Sequence, residues 1–530
     1  MPPKTTETPL EQAQAWWKER VDANLYVIDP SESPSSSITK LLRSERLILE
    51  VANRREWIVT TPNRLDDRAI FLGHYWPVLA RVLHRYRPCA VVGIDAVRLH
   101  LEDFAIPTEV TVWHRANASR YDLELTAEFL LPLRPELSEA DAATTLQIST
   151  VDNAQIPVLA PAPLLLTLSE PEISRGIESV TAWIRHLVLP QPQLDAAVEK
   201  NPRPIVLRRL ADIADEAGNP SLARQLDRAA ARVSSTRASP TRTGVGVRIV
   251  VPAAVQHIPR GTGTPWTDEQ QMRLARENTE IASTLLPYLD GLPKLTPRQL
   301  LAHAQQAKAY DAYHSTTLEG YRISKDLSDA IVAGQPLADG PRDEETLRAA
   351  MAVQGYSHAF NAVLKLARSD EPLTRALILD VYEALFRPSV DAGRVEPHML
   401  GGWRTSGVTV RGYRHTPPST RKLHDLLVGM EQYAAVPTDS PAVRALVLHL
   451  EFVTIHPFLD GNGRLGRLLM NLELLRAGLP WVTVRSDERI PFFKSIERAQ
   501  VDHDAEPFAR FLGHLIKTVA DDARPRSRRR

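Results

Sequence analysis

The sequence predicts a multidomain chain, an N-terminal α+β region followed by a C-terminal all-α module that carries one β-hairpin. Three observations point there. At 530 residues the chain is longer than a single hydrophobic core usually serves. Short strand-like runs stand mostly before residue 115, whereas apolar residues at helical spacing dominate from about residue 265 to 520. Between the two halves Ser-Ser-Thr-Arg-Ala-Ser-Pro-Thr-Arg-Thr, residues 234–243, is polar and aperiodic, which is the composition of a linker.

Residues 1–65 read as a small unit. A helix carrying Trp16 and Trp17 comes first, and a second starts in Ser35-Ser36-Ser37 and uses Ile38, Leu41 and Leu42. Two short strands follow, 47–51 and 57–60, joined by Ala52-Asn53-Arg54-Arg55-Glu56. Helices followed by a hairpin with arginines at its tip suggest a winged helix, whose Arg54 and Arg55 would meet DNA phosphates. Residues 66–233 mix strands and helices. Here 90–94 and 109–113 read as buried strands, and 203–233 as a helical pair broken at Gly218-Asn219-Pro220. This layout, with fragments such as Gly93-Ile94-Asp95-Ala96, loosely resembles AbiEi-type winged-helix antitoxin regulators. A strand-like run at 245–251 falls inside the linker stretch 234–264, and the basic tail 521–530 reads as a solvated, disordered end.

Lys plus Arg and Asp plus Glu number 64 each, so no overall charge draws the chain to nucleic acid or to a membrane, and any basic patch is local. Hydrophobic residues at 43% and charged residues at 24% are ordinary for a soluble globular protein. The single cysteine, Cys89, excludes an intrachain disulfide and fits a reducing compartment. A polar, proline-rich start and the lack of a long apolar run argue against a signal peptide or a membrane span. The chain reads as cytoplasmic, with no membrane partner.

The chemistry concentrates in His456-Pro457-Phe458-Leu459-Asp460-Gly461-Asn462-Gly463-Arg464-Leu465-Gly466-Arg467. Ser440-Pro441 starts a helix whose apolar face, Val443, Leu446, Val447 and Leu450, runs almost to His456. Leu465, Leu468, Leu469, Leu472 and Leu475 repeat the period beyond it, until Gly478 and Pro480 stop the second helix. The stretch is therefore a tight loop that ends at a helix N-terminus, where unpaired N–H groups and the macrodipole attract anions. Gly461 and Gly463 let a ligand's oxygens approach the backbone. Arg464 and Arg467, three apart, can grip phosphate oxygens by bidentate hydrogen bonds. Asp460 supplies a hard oxygen for Mg²⁺, which usually arrives with the phosphates it bridges. His456 can take a proton from an attacking hydroxyl near neutral pH. Together these parts describe transfer of a phosphorus-centred group from a nucleotide to a hydroxyl.

The same twelve residues resemble the signature of the Fic (Fido) family, His-x-Phe-x-Asp/Glu-Gly-Asn-Gly-Arg-x-x-Arg, at every defined position. The resemblance covers roughly residues 265–520 and implies an all-α Fic fold that moves AMP from ATP to a Ser, Thr or Tyr hydroxyl of a protein. It makes His456 the general base, Phe458 a core anchor and Asp460 the Mg²⁺ ligand. It also makes Gly461, Asn462 and Gly463 the anion nest, with Arg464 and Arg467 on the distal phosphates of ATP.

A second match is Ser315-Thr316-Thr317-Leu318-Glu319-Gly320, which closes a helix begun at Thr296-Pro297. A glutamate at a helix C-terminus faces the negative end of the dipole and calls for a cation. The stretch resembles the inhibitory motif of many Fic proteins, Ser/Thr-x-x-x-Glu-Gly/Asn, in which the glutamate pairs with the last arginine of the signature. Here that pair would be Glu319 with Arg467, Ser315 and Gly320 completing the motif. Residues 265–370 would then carry the inhibitory helix and 371–520 the catalytic core. Alternation at Val408 and Val410, broken at Gly412, reads as an edge hairpin. Its position matches the family's flap, so that Val408, Thr409 and Val410 would hold the target by strand addition.

The expected function is a self-inhibited protein adenylyltransferase acting on a protein hydroxyl, its own included. Two alternatives stay open, removal of AMP from a modified protein and DNA-binding regulation through residues 1–65 with a nucleotide-sensing Fic unit. Assembly as a homodimer is also open. Asp502-His503-Asp504 reads as a solvated turn, and His449 as an interior imidazole.

Overall fold

A computed structural model describes every residue except 1–7, 61–65, 138–145, 152, 237–262, 336–342, 370 and 524–530. The run at 245–251, most of the linker and the basic end of the chain lie outside the described residues. The chain divides into two compact units. One comprises Met1–Glu269 with Thr409–Thr416, the other Gln270–Val408 with Pro417–Arg530.

In the first unit, α1 (Pro9–Asp22) starts at Thr8, which forms a capping box with Glu11. With α2 (Ser36–Ser44) it packs on an antiparallel sheet of β1 (Val27–Ile28), β2 (Ile48–Val51) and β3 (Glu56–Val59). The strand order is β1-β3-β2, and Trp16, Ile28, Ile38, Leu42, Trp57 and Val59 fill the core between helices and sheet. The β2–β3 turn holds Ala52, Asn53 and Arg54 at φ of 52°, 55° and 64°.

Next come α3 (Asp67–Gly73) and α4 (Tyr75–Arg85), which lead to β4 (Cys89–Val91). The strand expected over 90–94 ends early. Gly93 takes φ 67° and opens α5 (Gly93–His100), so Ile94 is helical rather than extended. β5 (Val112–Arg115) likewise begins later than the expected 109–113, although Val110 is buried. With β6 (Tyr121–Thr126), β7 (Phe129–Leu137), β8 (Leu146–Val151) and β9 (Ala154–Leu159) these strands form a mixed sheet of order β6-β7-β5-β4-β9-β8. Helices follow and end in the packed pair α6 (Pro204–Glu216) and α7 (Pro220–Thr236), as their spacing predicts. Cys89 is buried, and desolvation pushes its thiol up to about 12, which leaves it unreactive near neutral pH.

The second unit is helical. Its main elements are α8 (Pro265–Leu289, from Gln270 onward), α9 (Pro297–Leu318), α10 (Glu344–Leu366), α11 (Arg375–Asp391), α12 (Leu423–Ala435), α13 (Pro441–Ile455), α14 (Asn462–Arg476), α15 (Arg489–Val501) and α16 (Glu506–Asp522). Nearly every side chain of α14 is buried, and it packs on α9, α10, α11 and α13. A helix covered on all sides belongs at the centre of a bundle. Because α13 ends at Ile455 and α14 begins at Asn462, the His456–Gly461 loop forms at that centre. Among the described residues no helix is long and apolar enough to cross a membrane.

Trp57→Ala empties the middle of the small N-terminal core and should cost about 3–5 kcal/mol. Differential scanning calorimetry checks this, since the first unit's transition should move to lower temperature. An unchanged thermogram would contradict the packing described here.

Candidate active site

The last turn of α13 closes with His456 in the left-handed region, φ 51° and ψ 58°. Its backbone N–H still donates to the Phe452 carbonyl at 2.9 Å. Its Nδ1 lies 3.2 Å from the carbonyl oxygen of Val453. A carbonyl only accepts, so Nδ1 carries the proton and Nε2 keeps the lone pair. Burial holds the imidazole below its ordinary pKa, against an upward pull from Val453 and the Glu319 carboxylate. The ring is neutral near pH 7, the state a proton acceptor needs.

Arg404 supports this turn from below. Its backbone N–H donates to Pro457 O at 2.9 Å and its Nε to His456 O at 2.8 Å. Its terminal nitrogens donate to the carbonyls of Ser406 and Pro418. Burial lowers its pKa to about 10, which still leaves it cationic. Phe458 stacks face to face on Tyr382, 3.6 Å between centroids and 8° between planes, and anchors the loop in the core. Asn462 closes the loop with its side chain, Oδ1 accepting from Phe458 N at 3.0 Å and Nδ2 donating to Phe458 O at 2.8 Å.

Glycine is required before the helix for two reasons. Gly461 has φ 84°, and a Cβ there would come within 2.7 Å of the Phe386 ring. From Asn462 the backbone is helical, so the first amides of α14 have no helical carbonyl to donate to. The Glu319 carboxylate sits against that helix start. A Cβ on Gly463 would lie 2.2 Å from Glu319 Oε1. The same oxygen accepts from Arg467 Nη2 at 2.8 Å, and this nitrogen also donates to Ser315 O at 2.8 Å. Arg467 Nε reaches Ser315 Oγ at 3.3 Å. Arg467 is almost unexposed at 3%, while Glu319 keeps a quarter of its side chain in solvent.

Arg464, at 1% exposure, turns to Asp460, with Nη2 3.2 Å from Oδ2. Asp460 Oδ1 accepts from the N–H of Gly461 at 2.6 Å. Among the described residues no group of three or more His, Cys, Asp or Glu could hold a metal ion by itself. A lone, solvent-facing carboxylate instead fits Mg²⁺, which takes one or two protein oxygens and completes its shell with water and nucleotide phosphates. Asp460 is the residue that would hold it.

A family model described as "Fic/DOC family" matches residues 372–474, from the start of α11 to the end of the signature helix. Over that segment the chain is similar to the Fic/DOC family. It is 28% identical over 237 residues to a protein adenylyltransferase Fic of Aedes aegypti, covering 44% of this chain and 45% of that protein. It is 28% identical over 213 residues to one of Nematostella vectensis, covering 39% and 47%. The chain thus spans under half the length of these curated relatives. Among solved structures it is similar to a fragment of Fic-1 from C. elegans, at 17% identity and TM-score 0.36, covering 67% of this chain and 93% of that chain.

The residues that the sequence assigned to the Fic domain's chemistry, His456, Asp460, Gly461, Asn462, Gly463, Arg464 and Arg467, meet in one loop and helix start, with Ser315, Glu319 and Gly320 beside them. The expected hairpin at Val408, Thr409 and Val410 is not formed, for none of these residues lies in a strand. A turn stands there instead, with Tyr413 N donating to Val410 O at 3.2 Å and Gly412 at φ 81°. Residues Thr409–Thr416 belong to the first unit. There Ile106 N donates to Arg414 O at 2.8 Å, and Arg68 Nη1 donates to Gly412 O at 2.5 Å. Carbonyls engaged in this way do not pair across a hairpin. Arg54 is exposed, 3.8 Å from Glu50, and Arg55 donates to the Tyr86 hydroxyl at 3.0 Å. His449 is an interior imidazole stacked on Phe508 and pushed down to about 4 by burial, as its position in the sequence suggests.

Sequence spacing missed two residues. Arg404 is visible only as the end of a Gly-Gly-Trp-Arg run, and nothing in the order of residues marks Tyr321, whose hydroxyl reaches Asp460. Titration of the His456 imidazole by NMR should give a midpoint below about 6.5, the value for a free histidine. Glu319→Gly should lower it further, since the carboxylate favours the charged ring. A midpoint at or above the free value would contradict the burial argument.

Proposed function

We propose that the C-terminal unit is a self-inhibited protein adenylyltransferase, moving AMP from ATP to a Ser, Thr or Tyr hydroxyl of a protein, its own included. The observation that carries this reading is one carboxylate, Glu319, lying between Arg467 and the amide-rich start of α14. That is where an oxyanion of a nucleotide would sit. The named relatives, all protein adenylyltransferases, support the same reaction class.

In this reading His456 Nε2 accepts the proton of the target hydroxyl as its oxygen attacks the α-phosphorus of ATP. A new P–O bond forms, the bond to the β-phosphate oxygen breaks, and pyrophosphate leaves. The α14 amides and the guanidiniums of Arg464 and Arg467 hold the charge spread over the phosphates. Mg²⁺ on Asp460, when bound, neutralises part of that charge.

Inhibition follows from competition. The γ-phosphate and Glu319 want the same guanidinium and the same amides. Removing one partner of a buried ion pair costs about 3–5 kcal/mol, and a quarter-exposed glutamate falls at the low end of that range. About 3 kcal/mol is a factor of roughly a hundred in occupancy of the seat.

We also infer a winged-helix unit from the order β1-β3-β2 with α1 and α2 on one face. Arg54 and Arg55 stand near Glu50 and Tyr86, so DNA contact through them alone is not part of the reading.

Glu319→Gly with labelled ATP should raise self-labelling by at least about tenfold, with a mass gain equal to AMP on the intact chain. His456→Ala in that background should return the label to zero while the circular dichroism spectrum stays unchanged. A Glu319→Gly chain that gains no mass overturns the transferase reading. One that strips AMP from a labelled protein without ATP assigns the reverse reaction instead.

A further inference from the structure

The turn after α9 does more than deliver Glu319. Gly320, at φ 89°, lets the residues on its two sides address one site. On one side Glu319 takes Arg467. On the other the Tyr321 hydroxyl lies 3.3 Å from Asp460 Oδ2 and 3.4 Å from Arg464 Nη2. The Arg464 guanidinium also lies over the Tyr321 ring, 5.0 Å from Cζ to centroid. Two residues separated by one glycine thus touch both arginines and the carboxylate of the signature.

The lone pairs of Asp460 decide what this means. Oδ1 already accepts from Gly461 N–H. Oδ2 accepts from Arg464 at 3.2 Å and from Tyr321 at 3.3 Å, which fills both of its acceptor positions. A divalent cation that binds through Oδ2 has to displace one of these donors. The guanidinium bond joins two charged groups and the phenol bond only one, so the phenol leaves first. It has room to do so, because Tyr321 lines a cavity of about 300 Å³ that extends to Arg348, Leu385 and Ser389.

We propose that Tyr321 is a positioning residue that withholds the Oδ2 oxygen of Asp460 from metal at rest, so that one turn, residues 319–321, restrains both the phosphate seat and the metal ligand. The proposal rests on the nucleotidyltransferase reading and extends it. The two restraints are separated only by Gly320 and release together. Metal and nucleotide therefore help each other to bind, since each removes part of what opposes the other.

The test uses the full chain and Tyr321→Phe, which removes one hydroxyl and keeps the ring. The probes are Mn²⁺, followed as free ion by electron paramagnetic resonance, and α,β-methylene ATP, which cannot transfer AMP. Tyr321→Phe should bind Mn²⁺ in the presence of the nucleotide about three- to tenfold more tightly than the parent. Calorimetry in EDTA should show a smaller gain in nucleotide affinity than the gain in Mn²⁺ affinity, since without metal only the shared turn and not the carboxylate is at issue. In a Glu319→Gly background the gain should shrink, because the turn is already released. Equal tightening with and without metal would mean general loosening and would overturn the proposal. So would an unchanged or weaker Mn²⁺ affinity. Binding is read without turnover, so the outcomes separate. A chain that transfers no AMP but shows the metal-specific gain keeps this proposal and loses the transferase reading, and the opposite pattern does the reverse.

Discussion

The start of α14 is the constraint on which the site depends. A helix buried along its length begins inside the bundle, and its first amides point at a place where no helical carbonyl can meet them. Each buried N–H left without an acceptor costs about 1–3 kcal/mol. Two nearly unexposed guanidiniums, Arg464 and Arg467, add full positive charge to the same spot. Such a place is stable only with negative charge in it, and in the resting chain Glu319 and Asp460 supply it. The chemistry proposed for the site and the folding of the bundle therefore make the same demand.

The other end of the loop is built with the opposite sign. The last carbonyls of α13, left without helical donors, face the negative end of that helix's dipole. Arg404 places a buried guanidinium there, with Nη2 3.5 Å from Ile455 O and Nε donating to the carbonyl of His456 just beyond the helix. The same residue, His456, takes a left-handed conformation that few non-glycine residues adopt. Between the two charged ends, Phe458 on Tyr382 and the Asn462 side chain fix the loop's shape. The imidazole is thereby held within reach of the Glu319 charge, with Nδ1 on the Val453 carbonyl.

How much of this was legible in the sequence depended on how local each interaction is. The helix–loop–helix of 440–476 could be read because its caps, apolar period and charged side chains all lie within forty residues. The Glu319–Arg467 contact spans 148 positions, and only the resemblance of two short motifs made it visible. The hairpin expected at 408–414 failed for a physical reason. Alternation of Val408 and Val410 says which faces the side chains prefer but not where the carbonyls of Gly412 and Arg414 go, and they go to Arg68 and Ile106. At 90–94 the apolar run was real, but Gly93 at positive φ turned its last residue into a helix. Tyr321 was invisible because an aromatic after a glycine is common and its partner lies 139 residues away.

If Glu319 acts as the proposed brake, one built from the same turn as the site's own contacts has to be of moderate strength. Glu319 is tethered, so it competes at an effective concentration of order millimolar or above, with no loss of translational freedom. In the proposed reading a free nucleotide would overcome that advantage only by satisfying more groups at once. Glu319 neutralises Arg467 and part of the helix start, whereas a triphosphate with its cation can engage Arg464, Arg467, Asp460 and the amides together. Preference for the nucleotide then grows with the number of these groups it reaches. A ligand lacking the distal phosphates or the cation would leave Arg467 to Glu319 or Asp460 to Tyr321, and the turn would close again behind it.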